Sequence, residues 1–129
     1  MPLVVVDVLK GKTDGELTEL LEAVHQAVVE AFQVPLRDRY QILQEHGPAR
    51  MVIEDTGLGI DRSPNVVVVR VTSRPRTQKQ KENLYRLLRD ELQRRCGIEP
   101  SDVVVAVTEN TDADWSFGHG RAQFLTGDL

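Results

Sequence analysis

The stretch Val66-Val67-Val68-Val69-Arg70-Val71-Thr72 decides how this chain is read. It is a strand-like apolar run directly ahead of a helical pattern. A second run of the same kind, Leu3-Val4-Val5-Val6-Asp7-Val8-Leu9, does the same near the start. Sliding the chain by 64 residues sets Thr13 on Thr77, Val34 on Ile98 and Asp38 on Asp102, and that offset is half of the 129-residue length. Each half therefore reads as strand, helix, strand.

The helices are signalled at both ends. Thr13 with Glu16, and Thr77 with Gln80, fit capping boxes. Leu17, Leu20, Leu21, Val24, Val28, Ala31 and Phe32 keep the spacing of one apolar helix face, as do Leu84, Leu87, Leu88 and Leu92 in the second half. Gly97 is a natural C-terminal stop. The opposite faces carry charges such as Lys79, Lys81, Glu82 and Arg86, the pattern of a solvated face.

The continuous apolar runs Val66–Val69 and Val103–Val107 suit parallel strands covered on both faces. A βαβ unit takes roughly 30 residues or more, and each half supplies enough. Right-handed crossovers put both helices on one side of the sheet. The expected fold is α/β: two repeated βαβ units, about residues 1–46 and 65–109, forming a four-stranded sheet with two helices on one face. The whole is expected to be a single domain, 1–129, with a C-terminal extension at 110–129. The face without helices is apolar, so an oligomer is expected to cover it. Between the halves, residues 47–64 are rich in glycine and proline, and Arg50-Met51-Val52-Ile53-Glu54 suggests a short extra strand. In the extension, Trp115–Gly120 and Ala122–Leu125 suggest short hairpin-like segments.

Composition narrows the function classes. Hydrophobic residues make up 40% and charged residues 28%, the balance of a globular chain. The net charge of −4 and an aromatic content of 5% supply neither a basic surface nor a stacking platform, so nucleic acid is not expected as a partner. No run approaches 18 apolar residues and no secretory signal pattern opens the chain, so neither a membrane partner nor export is expected, and the default compartment is the cytoplasm. Cys96 is the only cysteine. It has no partner for an internal disulfide and reads as a packing residue. His25, His46 and His119 lack ligand spacing, so no metal site is expected. Gly57-Leu58-Gly59 lacks the remainder of a dinucleotide fingerprint, and no cofactor is expected.

Three features can carry chemistry. Pro2 follows the initiator methionine, and a small second residue generally permits that methionine's removal. The exposed secondary amine would then be more basic than an ordinary α-amino group, whose pKa is about 8, and can serve as acid, base or nucleophile. A retained Met1 would convert it to an amide and abolish that chemistry. Arg74-Pro75-Arg76 follows the central strand of the second half, where ligands of α/β sheets bind, and an arginine fork grips a carboxylate bidentately. Arginine ahead of a helix N-terminus is not favoured by the dipole, so these two are unexpected as decoration. Asp38 opens the second strand of the first half, and its match with Asp102 points to a turn role for both.

Pro2, the doubled βαβ chain of this length and the arginine pair together resemble the tautomerase superfamily, whose members use an amino-terminal proline. Asp38-Arg39-Tyr40-Gln41-Ile42, Asp55-Thr56-Gly57-Leu58-Gly59, and Asn65–Val69 through Thr72-Ser73-Arg74-Pro75-Arg76 resemble its malonate semialdehyde decarboxylase branch, over essentially the whole chain. The resemblance implies a homotrimer whose three sheets form a barrel surrounded by six helices. It also implies a small carboxylate substrate and a cofactor-independent carbon–carbon lyase reaction. Pro2 and Asp38 would be catalytic and Arg74 and Arg76 would hold the carboxylate. Trp115, Phe117 and Phe124 would either wall the site or pack between core and subunits. Hydration or dehalogenation of unsaturated acids, keto–enol tautomerisation, and a non-catalytic trimeric binding role are the alternatives on the same fold.

Overall fold

The computed structural model describes residues 1–129. The elements run β1 (Leu3–Leu9), α1 (Asp14–Phe32), β2 (Tyr40–His46), β3 (Val67–Ser73), α2 (Gln78–Cys96), β4 (Val103–Glu109) and a four-residue α3 (Gln123–Thr126). Both capping boxes form. Thr13 accepts from the Glu16 amide and Thr77 from the Gln80 amide, each with the reciprocal bond. Such caps are each worth about 1 kcal/mol. Helix α2 ends where Gly97 turns left-handed at φ 66°, which lets its N–H reach back to Gln93 and Leu92.

The sheet order is β2-β1-β3-β4. Each βαβ unit is parallel within itself, and the two units meet through an antiparallel β1–β3 pair. The sheet is therefore mixed. Val4, Val6 and Val8 of β1 and Val67, Val69 and Val71 of β3 point to one side, where they form a core with Leu20, Val24, Val28 and Phe32 of α1 and Leu84, Leu88 and Leu92 of α2. Truncating a leucine in such a core costs about 2–5 kcal/mol. The apolar runs are covered by helices on this side only. Val5, Val68 and Val104 face the other side and are half-buried, while Tyr40 and Ile42 beside them are 41% and 48% exposed. No helix of the chain is long and apolar enough to cross a membrane.

Two expectations fail. Residues 50–54 make no strand: Pro48–Arg50 form a single 3-10 turn, and the following segment joins no ladder. The segment instead ends in a turn held by Asp55, whose carboxylate accepts from the Gly57 and Gly59 amides at 3.1 and 2.9 Å. Thr56, Gly57 and Gly59 all have positive φ there, a conformation that glycine adopts without cost. The C-terminal extension forms no hairpins either. It has a 3-10 turn at Asp112–Asp114, where Thr111 and Asp114 cap each other, and the short α3, and neither Trp115–Gly120 nor Ala122–Leu125 joins a strand ladder.

Candidate active site

The strand register builds the site. Leu3 lies opposite Tyr40 on β2 and Thr72 on β3, and Thr72 lies opposite Thr108 on β4. The starts of β1 and β2 and the ends of β3 and β4 thus share one edge of the sheet. Pro2, Asp38, Arg74, Arg76 and the extension after Glu109 converge there from four places in the sequence.

Asp38 is 6% exposed. Its backbone N–H closes a turn onto the Pro35 carbonyl at 3.0 Å, so the expected turn role holds for the main chain. The side chain does something else. Oδ2 lies 3.6 Å from the Met1 terminal nitrogen, and Oδ1 is buried with no hydrogen-bond partner. The terminal amine is held below its ordinary range, chiefly by burial and further by the nearby Arg76 and Arg74 charges; Asp38 opposes them. Pro2 is buried immediately behind it. A shallow cavity of 260 Å3 opens between Met1, Pro35, Arg37, Asp38 and Tyr40.

The two arginines are held differently. Arg76 donates through Nε to Ser73 Oγ at 3.0 Å and through Nη1 to the Phe32 carbonyl at 3.2 Å, with its guanidinium 4.7 Å from the centre of the Phe32 ring. Phe32 ends α1, a helix with no basic residue in its last turn. Arg76 supplies the cation that the negative end of the α1 dipole favours. Its place ahead of α2 in sequence is thus misleading. Burial and the neighbouring Arg74 lower its pKa, and Asp38 counters them. Arg74 lies with its guanidinium 3.8 Å from the centre of the Phe124 ring and donates from Nη1 to Asp112 Oδ1 at 3.1 Å. Its Nε is buried with no acceptor.

Trp115, Phe117 and Phe124 come together. Trp115 stacks on Phe117 at 5.4 Å, and Phe124 meets Phe117 edge-on at the same distance. Tyr40 joins them, 5.6 Å from Phe117, so the cluster ties the extension to the start of β2. Sequence reasoning missed Tyr40, Phe32, Ser73 and Asp112 as parts of this region. Ser73 carried a faint signal: it continues the inward-facing series Val67, Val69, Val71 with a polar group. The histidines are scattered: His25 bonds the Leu36 carbonyl at 2.8 Å and His46 bonds Asp7 at 2.7 Å. Cys96 packs against the core, half-buried, and burial raises its pKa.

A doubled βαβ sheet with a buried carboxylate, a half-buried terminal amine and two arginines at one edge is the frame of a particular enzyme family. The chain matches the tautomerase enzyme family over residues 38–118 and, through a second family description, over residues 2–60. It belongs to the tautomerase superfamily. It is 51% identical to the probable tautomerase YrdN of Bacillus subtilis (strain 168), over all of both chains. Among solved structures, it is 56% identical to a malonate semialdehyde decarboxylase studied for its decarboxylase and hydratase activities, with a TM-score of 0.97 over 98% of each chain. It is 40% identical to the FG41 malonate semialdehyde decarboxylase inhibited by 3-bromopropiolate, with a TM-score of 0.94 over 98% of this chain and 97% of that one. A fused 4-OT described as a symmetric trimer is 28% identical, with a TM-score of 0.78 over 97% and 98% of the two chains.

Proposed function

We propose that the protein is a cofactor-independent decarboxylase that converts malonate semialdehyde to acetaldehyde and carbon dioxide, with Pro2 as the first residue of the mature chain. One observation carries the reading. The buried side-chain polar atoms without a partner are Asp38 Oδ1 and Arg74 Nε, and both belong to this edge of the sheet. Buried polar groups are nearly always satisfied, so a pair of orphans beside a terminal amine marks a place built for a polar ligand. The identity to the two decarboxylases supports the substrate class.

In this reading Arg74 and Arg76 hold the carboxylate of 3-oxopropanoate. Their contact stabilises ground and transition states alike, so its value is orientation: it sets the breaking bond perpendicular to the carbonyl plane. The carbon–carboxylate bond then breaks, carbon dioxide leaves, and its electron pair flows through the α-carbon to the aldehyde oxygen. A protonated Pro2 donates a hydrogen bond to that oxygen and stabilises the enolate. Protonation at carbon gives acetaldehyde. Alternatively a neutral Pro2 adds to the aldehyde and loses water to form an iminium, which takes up the electron pair as an enamine; protonation at carbon restores an iminium, and water hydrolyses it to acetaldehyde and free Pro2. At the Met1 amine Asp38 favours the charged form, while burial and the two arginines favour the neutral one; trapping on a chain that begins at Pro2 decides between the two routes. Hydration of an unsaturated acid is a second reading: Asp38 Oδ1 has no donor in the chain and is suited to accept from a water.

The proposed assembly is a cytoplasmic homotrimer. The sheet face bearing Val5, Val68, Ile42 and Tyr40 has no helix over it, and a trimeric relative shares the fold. Native mass spectrometry is expected to show three chains, each beginning at Pro2; a fully active monomer would overturn the trimer. The decisive test compares the chain beginning at Pro2 with one that keeps a residue ahead of it. The blocked chain should fold normally and lose nearly all decarboxylation, and equal turnover by both would exclude the amine mechanism. Cyanoborohydride trapping of an adduct on Pro2 separates the iminium route from the hydrogen-bonding one.

A further inference from the structure

We propose that Asp112 is a positioning residue that holds the Arg74 guanidinium with its Nε–Nη2 edge free for a substrate carboxylate. The inference rests on the assignment of Arg74 to carboxylate binding made above. A guanidinium offers a carboxylate two bidentate edges, Nε with Nη2 and Nη1 with Nη2. Asp112 Oδ1 takes Nη1, an atom of the second edge only, at 3.1 Å and leaves the first without a protein partner at Nε. The Phe124 ring covers one face at 3.8 Å and fixes the plane. Nε, on the open edge, is buried and has no acceptor. A guanidinium held only by solvent would turn to satisfy that donor.

Asp112 is itself held in place relative to Arg74. The Asn110 amide donates to the carbonyl of Ser73, the residue just before Arg74, at 2.8 Å. Asn110 Oδ1 accepts from the Trp115 indole at 2.7 Å, and Asp114 caps the Thr111 amide at 2.7 Å. The 3-10 turn that begins with Asp112 is therefore closed on both sides and tied to the end of β3. The Arg74–Asp112 pair is exposed, with side chains 38% and 54% accessible, but the main chain that carries Asp112 is fixed, unlike that of an ordinary surface pair. Freed from Asp112, the arginine is at liberty to turn toward the unpartnered oxygen of Asp38, and the carboxylate grip is lost.

Steady-state kinetics on malonate semialdehyde, with the chain beginning at Pro2, test this. Asp112→Ala should raise KM and lower kcat/KM about tenfold, because the carboxylate is held less tightly and less well oriented. Asp112→Asn should recover KM to within about threefold of the parent, because the amide oxygen still accepts from Nη1. In an Arg74→Ala background, Asp112→Ala should add nothing, since the residue acts through Arg74. An unchanged KM in Asp112→Ala, or a full added penalty in the Arg74→Ala background, overturns the proposal. If the parent itself does not turn over malonate semialdehyde, the decarboxylase reading fails and propanoate decides the inference. Its binding, followed at the arginine Nε–H resonances, should be about tenfold weaker in Asp112→Ala. Equal binding by parent and variant, or no binding to the parent, overturns it.

Discussion

Asp38 and Asp102 occupy the same place in the two halves of the chain, 64 residues apart, and do opposite things. Asp102 is 1% exposed and fully satisfied: Oδ1 accepts from the Ser63 amide at 2.7 Å and Oδ2 from the Ser63 hydroxyl. Beside Asp38 the matching place is held by the Met1 nitrogen, at 3.6 Å, and one carboxylate oxygen has no donor. The arginines show the same divergence. Arg76 lies against Phe32; its counterpart Lys12 turns to Asn65 Oδ1 at 3.0 Å, and the counterpart of Phe32 is the small Cys96. Between the start of α1 and the end of α2 a cleft of 470 Å3 remains, lined by Lys12, Glu16, Glu19, Arg95 and Cys96, in which Arg95 and Glu19 pair at 2.7 Å. One fold unit used twice thus closes its polar residues into structure at one edge and leaves them open at the other.

The largest difference is expected between substitutions of the two aspartates. Asp38→Asn should cost decarboxylation a factor of about 10²–10⁴, the range for acid–base groups, and leave stability unchanged or slightly higher. Asp102→Asn should do the reverse. It should lower unfolding free energy by about 1–3 kcal/mol in urea titrations, because a buried acceptor set loses its match to Ser63, and leave kcat unchanged. Equal effects of the two variants on both measurements would end the distinction.

The arginines sharpen it at a smaller scale. Alanine at Arg74 or Arg76 should remove about 2–5 kcal/mol of transition-state stabilisation, read as kcat/KM. Only Arg76→Ala should also lower stability, by roughly 1 kcal/mol, since it strips the cation from the end of α1. Lysine should rescue Arg74 poorly, because a point charge lacks the fork.

The smallest expected effect lies on the bare face of the sheet. Asp7 is 7% exposed and accepts from His46 Nε2 at 2.7 Å and Arg70 Nε at 2.8 Å. Burial alone would raise its pKa, but these two hydrogen bonds and charges outweigh it and hold the carboxyl below its usual value. Its folded pKa is depressed, so the stabilisation is present above the unfolded value of about 3.9 and is lost as pH falls through the folded one. Asp7→Asn should destabilise the protein by about 1 kcal/mol at pH 7, and the gap should close below about pH 4. A gap undiminished from pH 7 down to about pH 2 would show that Asp7 contributes through shape and not charge.

The helices and the repeat were legible because their signals are local. Thr13, Thr77 and Gly97 announce helix ends through bonds made within a few residues. The apolar faces of α1 and α2 announce a common core through periodicity. The two misread segments, 50–54 and 115–125, are apolar stretches without a partner strand in register, and a propensity for extended backbone makes no ladder by itself. At the site, Pro2, Asp38, Arg74 and Arg76 were legible as residues of suitable chemistry. Their division of labour was not. Arg76 sits before α2 in sequence yet caps α1, and nothing near position 76 says so. Asp112 lies in a polar loop that composition cannot tell from any other.

What the sequence determined by itself is the pair of βαβ units, the helix boundaries, the family resemblance and the set of chemical groups. The helix boundaries follow from bonds within a few residues, and the repeat and the resemblance from patterns along the chain that need no contact between its halves. Tertiary structure decided how the two units join. The antiparallel β1–β3 pair sets the start of one unit against the end of the other, and only that register puts residue 2 beside residues 74 and 76. It also decided which of two equivalent aspartates is left unsatisfied. That is a matter of whether a serine donates at 2.7 Å or a chain terminus stands off at 3.6 Å, and burial gives the difference its energetic weight: an unmatched polar atom inside the protein cannot be satisfied by solvent.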